Sequence, residues 1–254
     1  MTLAVICRLA GYGAWVELRQ AFARGRLGTL AHTAGLAVLV ALLGTLFGTI
    51  LKTYVAGYGA YVPSLAAGLI AWTFLSSCLN RACGGMDRWA RILRHTPMPL
   101  PAVAGGAVLL QMVILGQNLM VGLVTYGAVF GTIPTRPLAL AAGIALVAAN
   151  LFCLSLIGAI LCLRYRNLPQ SINGLLQVAF FLTPLIWPDY FLGRYRFLND
   201  VNPFHHLVAL IRAPLLGDAT APLTWLVGLG LLAAGGILAW RLHRSTRDTV
   251  CYWL

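Results

Sequence analysis

Residues able to do acid–base or nucleophilic chemistry come together once in the sequence, at His205 and His206 with Asp200 five residues before them. A hydrolase or glycosyl-transferring enzyme needs paired carboxylates, or a nucleophile beside a base. This group supports either catalysis on a membrane-bound sugar or, more plainly, loop residues at the outer boundary of a membrane. Nucleotide hydrolysis is excluded from the chain itself. The lone lysine, Lys52, sits in Leu51-Lys52-Thr53, and no Gly-rich GxxxxGK loop followed by Ser or Thr is present to cradle phosphates. The six cysteines, Cys7, Cys78, Cys83, Cys153, Cys162 and Cys251, form no CxxC pair and have no histidine at metal-ligand spacing. They read as small residues of apolar segments, and no metal site is expected.

The elements that must hold these residues are set by composition. Of the 254 residues 60% are apolar and 9% charged, against roughly a quarter charged in an ordinary soluble domain. The apolar residues fall in runs of about 20, close to the thickness of a bilayer. Six runs qualify as spans: 30–51, 62–79, 102–130, 138–163, 172–187 and 223–240. A further stretch, 204–216, carries His205, His206, Arg212 and Pro214 and is too short and polar to cross, so it is expected as an interfacial or re-entrant helix. The expected fold is all-α and integral to a membrane, with six transmembrane helices, an N-terminal interfacial helix and re-entrant outer helices between spans five and six. It is read as one domain over 1–254: a cytoplasmic amphipathic segment 1–29, a core 30–240 and a basic tail 241–254.

The net charge of +12 follows insertion topology rather than a nucleic-acid stripe. Thirteen basic residues lie before the first span, between spans two and three, after span four and at the C-terminus. Five lie on the other side: Lys52, Arg136, Arg194, Arg196 and Arg212. The positive-inside rule therefore puts both termini in the cytoplasm, which an even number of spans requires. Arg8, Glu17 and Arg19 interrupt the first apolar stretch, so no cleavable signal is expected and span one serves as the anchor. Trp15, Leu18, Phe22 and Leu27 alternate with Glu17, Arg19, Arg24 and Arg26, the pattern of an interfacial helix. Met86, Trp89 and Leu93 alternate with Asp87, Arg88, Arg91 and Arg94 before the Pro97-Met98-Pro99-Leu100-Pro101 run. That is a short charged helix, either a docking element for a soluble partner or an ordinary loop.

None of the six acids falls inside a span, which disfavours a proton-coupled carrier. Polar groups in the spans are amides: Gln111, Gln117, Asn118, Asn150, Asn173 and Gln177. Most are expected to tie helices together. Gln111, Asn118, Asn173 and Gln177 alternatively offer uncharged donors and acceptors to a hydroxyl-rich cargo. Tyr54, Tyr58 and Tyr61 share a helical face, and Trp72, Phe74, Trp187 and Tyr190 add aromatic surface. These form either an interfacial belt or a stacking platform for sugar rings.

Several strings resemble the membrane (permease) subunit of ATP-binding-cassette polysaccharide exporters of the O-antigen and teichoic-acid type. They are Leu163-Arg164-Tyr165-Arg166-Asn167-Leu168, then Leu176-Gln177 with Phe180-Phe181-Leu182-Thr183-Pro184-Leu185-Ile186-Trp187-Pro188, then Asn202-Pro203-Phe204 and Arg212-Ala213-Pro214-Leu215-Leu216-Gly217. Weaker echoes are Glu17-Leu18-Arg19, Gly68-Leu69-Ile70-Ala71-Trp72-Thr73-Phe74 and the tail Tyr252-Trp253-Leu254. The resemblance implies a bacterial inner-membrane permease, not an enzyme, that pairs with itself and with two nucleotide-binding subunits. ATP and Mg would be used by those subunits, with no cofactor on this chain, and lipid-linked polysaccharide would be the cargo. Glu17, Arg19, Asp87, Arg88, Trp89, Arg91 and Arg94 would contact the ATPase. Such permeases commonly carry an Asn and basic residues leading into Phe-Pro after span two, where this chain has Arg94-His95-Thr96-Pro97. The substrate path would take in Tyr54, Tyr58, Tyr61, Trp72, Phe74, Gln111, Asn118, Gln177, Trp187 and Tyr190.

Overall fold

The computed structural model describes residues 3–24, 30–50, 58–84, 99–131, 136–165, 167–186 and 197–246, and these residues contain helices and no strand. In chain order the helices are α1 (Leu3–Arg24), α2 (Leu30–Ile50), α3 (Tyr58–Gly84), α4 (Leu100–Phe130), α5 (Pro137–Arg164), α6 (Leu168–Leu182), α7 (Phe197–Val201), α8 (Pro203–Leu215) and α9 (Pro222–Thr246). Prolines punctuate them where their missing N–H is harmless: Pro101, Pro137, Pro169 and Pro203 lie in the first turns of α4, α5, α6 and α8. Gly131, at φ 68°, closes α4 in the left-handed conformation that a side chain disfavours.

Five helices, α2, α3, α4, α5 and α9, are long and apolar enough to cross a membrane. This is the architecture of an all-α membrane protein, and the five match the expected spans one, two, three, four and six. The expected fifth span, 172–187, differs. Its helix, α6, has 15 residues and rises about 22 Å, short of a hydrocarbon core of about 30 Å. The helix stops because Pro184 follows Thr183, and a residue before proline is pushed into extended backbone. Thr183 accordingly has ψ 130°. The N-terminal helix also differs in extent, since α1 begins at Leu3, twelve residues ahead of the amphipathic stretch read from Trp15.

α3 is the hub. In its span 67% of residues are buried, against 17% in α2 and in α9, and it packs against α2, α4, α5, α6 and α8. Phe74, Leu65, Ile70 and Leu75 are fully enclosed there. The peripheral helices turn leucines outward, among them Leu42 and Leu46 on α2 and Leu226 and Leu229 on α9, as lipid solvation permits. The stretch 204–216, expected to be non-spanning, is α8. It is wedged between α5 and α9, with Leu207, Val208, Leu210 and Ile211 buried. Glycine makes the wedge possible, because a Cβ on Gly143 would collide with the backbone carbonyl of Leu210. A Cβ on Gly228 would meet Leu146 and Leu210 side chains at 3.0 Å.

The bundle thus has two chemically distinct ends. One gathers the start of α3, the end of α6, α7, α8 and the starts of α5 and α9. The other gathers Cys83, Leu100, Val103, Leu156, Ile160, Leu163 and Ala239 into a second apolar cluster, near which the arginine-bearing ends of α3, α5 and α9 lie.

Candidate functional site

Beyond α6 the four residues 183–186 leave helical geometry, so their backbone groups need partners from elsewhere. Side chains of α3 and α8 supply them for the Pro184 and Ile186 carbonyls. Arg212 on α8 donates through Nη1 to the Pro184 carbonyl at 2.8 Å and through Nη2 to Ser64 Oγ on α3 at 2.6 Å. Tyr61 donates its hydroxyl to the Ile186 carbonyl at 2.8 Å. Asn202 donates to Thr183 Oγ1 at 3.1 Å, and its side-chain oxygen caps α8 by accepting from Phe204 N–H at 2.9 Å. Thr183 in turn donates to the Ala179 carbonyl at 2.8 Å. Leu185 is buried and packs on α3 at Gly68, where a Cβ would lie 3.4 Å from Leu185 Cδ2. Trp72 rests against both Phe180 and Phe204, at ring distances of 5.7 and 5.8 Å. A clamp therefore fixes the end of α6 against α3 and α8.

Around this clamp the separate strings Gly68 to Phe74, Phe180 to Ile186, Asn202 to Phe204 and Arg212 to Gly217 meet in space. Arg136 closes the other side of α8: its N–H donates to the Pro214 carbonyl and its Nε to the Gly217 carbonyl, both at 3.0 Å. Gly217 adopts φ 84° to make that turn.

The outer face of α6 has a different character. Gln170, Asn173, Gly174, Gln177 and Phe181 are exposed and follow helical spacing along one stripe. Leu175, Val178 and Leu182 are exposed on the neighbouring stripe. An amide left against hydrocarbon is costly, so the first stripe demands water, cargo or another polypeptide, whereas the second suits lipid.

The buried amides hold helices together. Thr33 on α2 donates to Asn118 Oδ1 on α4 at 2.9 Å. Asn150 donates to the Leu146 carbonyl at 2.9 Å and to the Gly228 carbonyl on α9 at 3.1 Å. Gln111 is 4% exposed. Of the substrate-path residues read from sequence, Tyr61, Trp72, Phe74, Gln111 and Asn118 are thus buried inside the chain's own helix packing, and Gln177 is exposed on α6. Tyr58 begins α3. Tyr54, Trp187 and Tyr190, and the coupling residues Asp87, Arg88, Trp89, Arg91 and Arg94, lie outside the described residues; Glu17 lies within α1 and Arg19 is exposed on it. Sequence reasoning passed over Ser64, Thr183 and Asn202 as functional positions. For Thr183 and Asn202 the only available signal was their place in the Pro184 and Pro203 strings, and for Ser64 there was none.

His206 is buried; its Nε2–H donates to the backbone carbonyl of Asp200 at 2.9 Å, and Nδ1 lies 3.4 Å from Thr224 Oγ1. His205 stacks edge-on against it at 5.6 Å. The imidazole thus ties α7, α8 and α9 together. Among the described residues no group of three potential metal ligands occurs.

A groove of about 890 Å³ runs between α2 and α4, lined by Ala37, Val40, Val113, Gly116, Met120 and Val124 with Thr33 and Gln117. Its walls are almost wholly apolar. No family model matches the chain, and no curated protein matches it significantly.

Proposed function

We propose that the chain is the membrane subunit of an ATP-driven exporter that moves a lipid-linked polysaccharide from the cytoplasm across the inner membrane. In this reading α6 and the clamped segment beyond it make up a sixth, broken crossing, and α7 and α8 are re-entrant helices on the outer side. Both termini are cytoplasmic. Two copies of the chain work with two nucleotide-binding subunits, which consume ATP and Mg. The observation that carries the reading is the α6 stripe of Gln170, Asn173, Gln177 and Phe181, exposed on an otherwise apolar helix. Neutral amides with an aromatic ring suit a hydroxyl-rich polymer, and a second copy facing the stripe would enclose a polar path. Four of the strings that resemble such permeases, Gly68 to Phe74, Phe180 to Ile186, Asn202 to Phe204 and Arg212 to Gly217, support it too, because they converge on one clamp, whereas Leu163 to Leu168 lies at the other end. The absence of a phosphate-binding loop from this sequence is in keeping with energy conversion by a partner.

Reconstitution tests the reading. Vesicles holding the chain and its cognate ATPase should transfer lipid-linked glycan to the opposite leaflet only with ATP, and deleting the gene should strip the surface glycan. ATP-independent or absent transfer by a folded, partner-bound chain would sink it. A related exporter of a drug or another lipid is the second reading, favoured by the apolar α2–α4 groove, and transfer of lipid without glycan would select it. An enzyme acting on lipid-linked sugars through His205, His206 and Asp200 is a third reading. It requires that alanine at all three positions abolish function in a chain that still folds.

A further inference from the structure

Among its described side chains α1 turns one stripe outward. Arg8, Tyr12, Trp15 and Arg19 are all exposed, Tyr12 at 68% and Trp15 at 61%, and their spacing of four, three and four places them on one helical face. The opposite face is buried in the protein: a Cβ on Gly105 of α4 would lie 3.1 Å from Ala10 Cβ, and one on Gly106 would lie 3.3 Å from the Ala10 carbonyl. α1 therefore crosses α4 within two turns of Leu100, at the end of the bundle that carries the second apolar cluster. The same combination recurs at that end on two other elements. Arg244 lies over the Trp240 ring at 5.5 Å, with Arg241 exposed alongside, and Arg164 lies over Tyr165 at 5.5 Å. Trp240 and Tyr165 are both more than half exposed.

Exposed aromatic rings alternating with guanidinium groups at one level of a bundle match the boundary between hydrocarbon and headgroups. Indole and phenol rings settle there, and arginine carries charge up to the phosphates. At the other end the described guanidinium groups donate to protein carbonyls: Arg136 Nε to Gly217 and Arg212 Nη1 to Pro184.

We propose that this arginine–aromatic belt, centred on the α1 stripe, is a binding surface for anionic phospholipid headgroups. The positive charge matches the phosphodiester, and the rings match the glycerol-to-acyl boundary beneath it. Basic residues beside an anionic bilayer favour such lipids by about fivefold each.

The test uses the full chain in nanodiscs of phosphatidylcholine with a minor fraction of phosphatidylglycerol, counting lipids retained after delipidation by mass spectrometry. Wild type should retain phosphatidylglycerol above its bulk fraction, and the enrichment should fall as salt is raised. Arg8→Gln with Arg19→Gln should reduce it by about an order of magnitude or more, and Arg241→Gln with Arg244→Gln should reduce it further. Arg8→Lys with Arg19→Lys should keep it, since a point charge suffices. A wild-type chain without enrichment, or with enrichment insensitive to salt and to the glutamine variants, overturns the proposal. Absence of enrichment combined with weakened ATPase binding in the glutamine variants would assign the stripe to a protein partner instead.

Discussion

Arginine does opposite work at the two ends of the bundle. At the α8 end Arg212 turns inward to a carbonyl that a broken α6 leaves open, and Arg136, though exposed, spends its Nε on the Gly217 carbonyl of the turn after α8. At the other end Arg8, Arg19, Arg241 and Arg244 stay on the surface beside exposed rings. A charge inside the fold is expensive to remove, because its removal strands buried acceptors. A charge on the rim contributes little to folding. Residue type alone therefore says nothing about role; what matters is whether neighbouring backbone has already found a partner.

The comparison yields ordered expectations. The largest effect should come from the glycine that lets α8 seat at all: Gly143→Leu drives a side chain into the Leu210 backbone, with a loss of about 3 kcal/mol or more or no folded chain. Thermal unfolding in detergent measures it. Arg212→Met should lose about 3 kcal/mol, since Ser64 and the Pro184 carbonyl each forfeit a charge-assisted bond. Asn150→Leu breaks one tie between α5 and α9 and should cost about 1 kcal/mol. Arg8→Gln with Arg19→Gln should change unfolding by less than about 0.5 kcal/mol. A destabilisation by that last pair as large as that by Arg212→Met would erase the distinction between the two ends.

Much of the architecture is legible in sequence because a bilayer imposes length. The runs 30–51, 62–79, 102–130, 138–163 and 223–240 correspond to α2, α3, α4, α5 and α9 within a few residues at most ends. The stretch 204–216 also matches α8, since four polar or helix-breaking residues in thirteen rule out a span. What escaped is long-range. The apolar run 172–187 continues through Leu185 and Ile186, but Pro184 ends the helix. Nothing local tells that Tyr61, Asn202 and Arg212 will hold the non-helical segment that follows. The seating of α1 on α4 uses Gly105 and Gly106, almost a hundred residues away, where a Cβ would crowd Ala10. Trp72 and Phe74 were read as aromatic surface at a boundary, yet Phe74 is enclosed by α3's neighbours and Trp72 is sandwiched by Phe180 and Phe204. Hydropathy registers that a ring is apolar without telling which side of its helix has a partner. For the amides the same ambiguity resolves by position: Asn118 and Asn150 are spent inside, whereas Asn173 and Gln177 remain on the surface of α6.

That last contrast bears most directly on whether α6 borders a wet path. In a chain stripped of its native cysteines, single cysteines at Asn173, Gln177, Leu175 and Val178 can be treated in native membranes with a charged, water-borne thiol reagent. Rapid labelling at 173 and 177 with little at 175 and 178 is the predicted result. Equal labelling on both stripes, or protection at 173 and 177, would contradict the account.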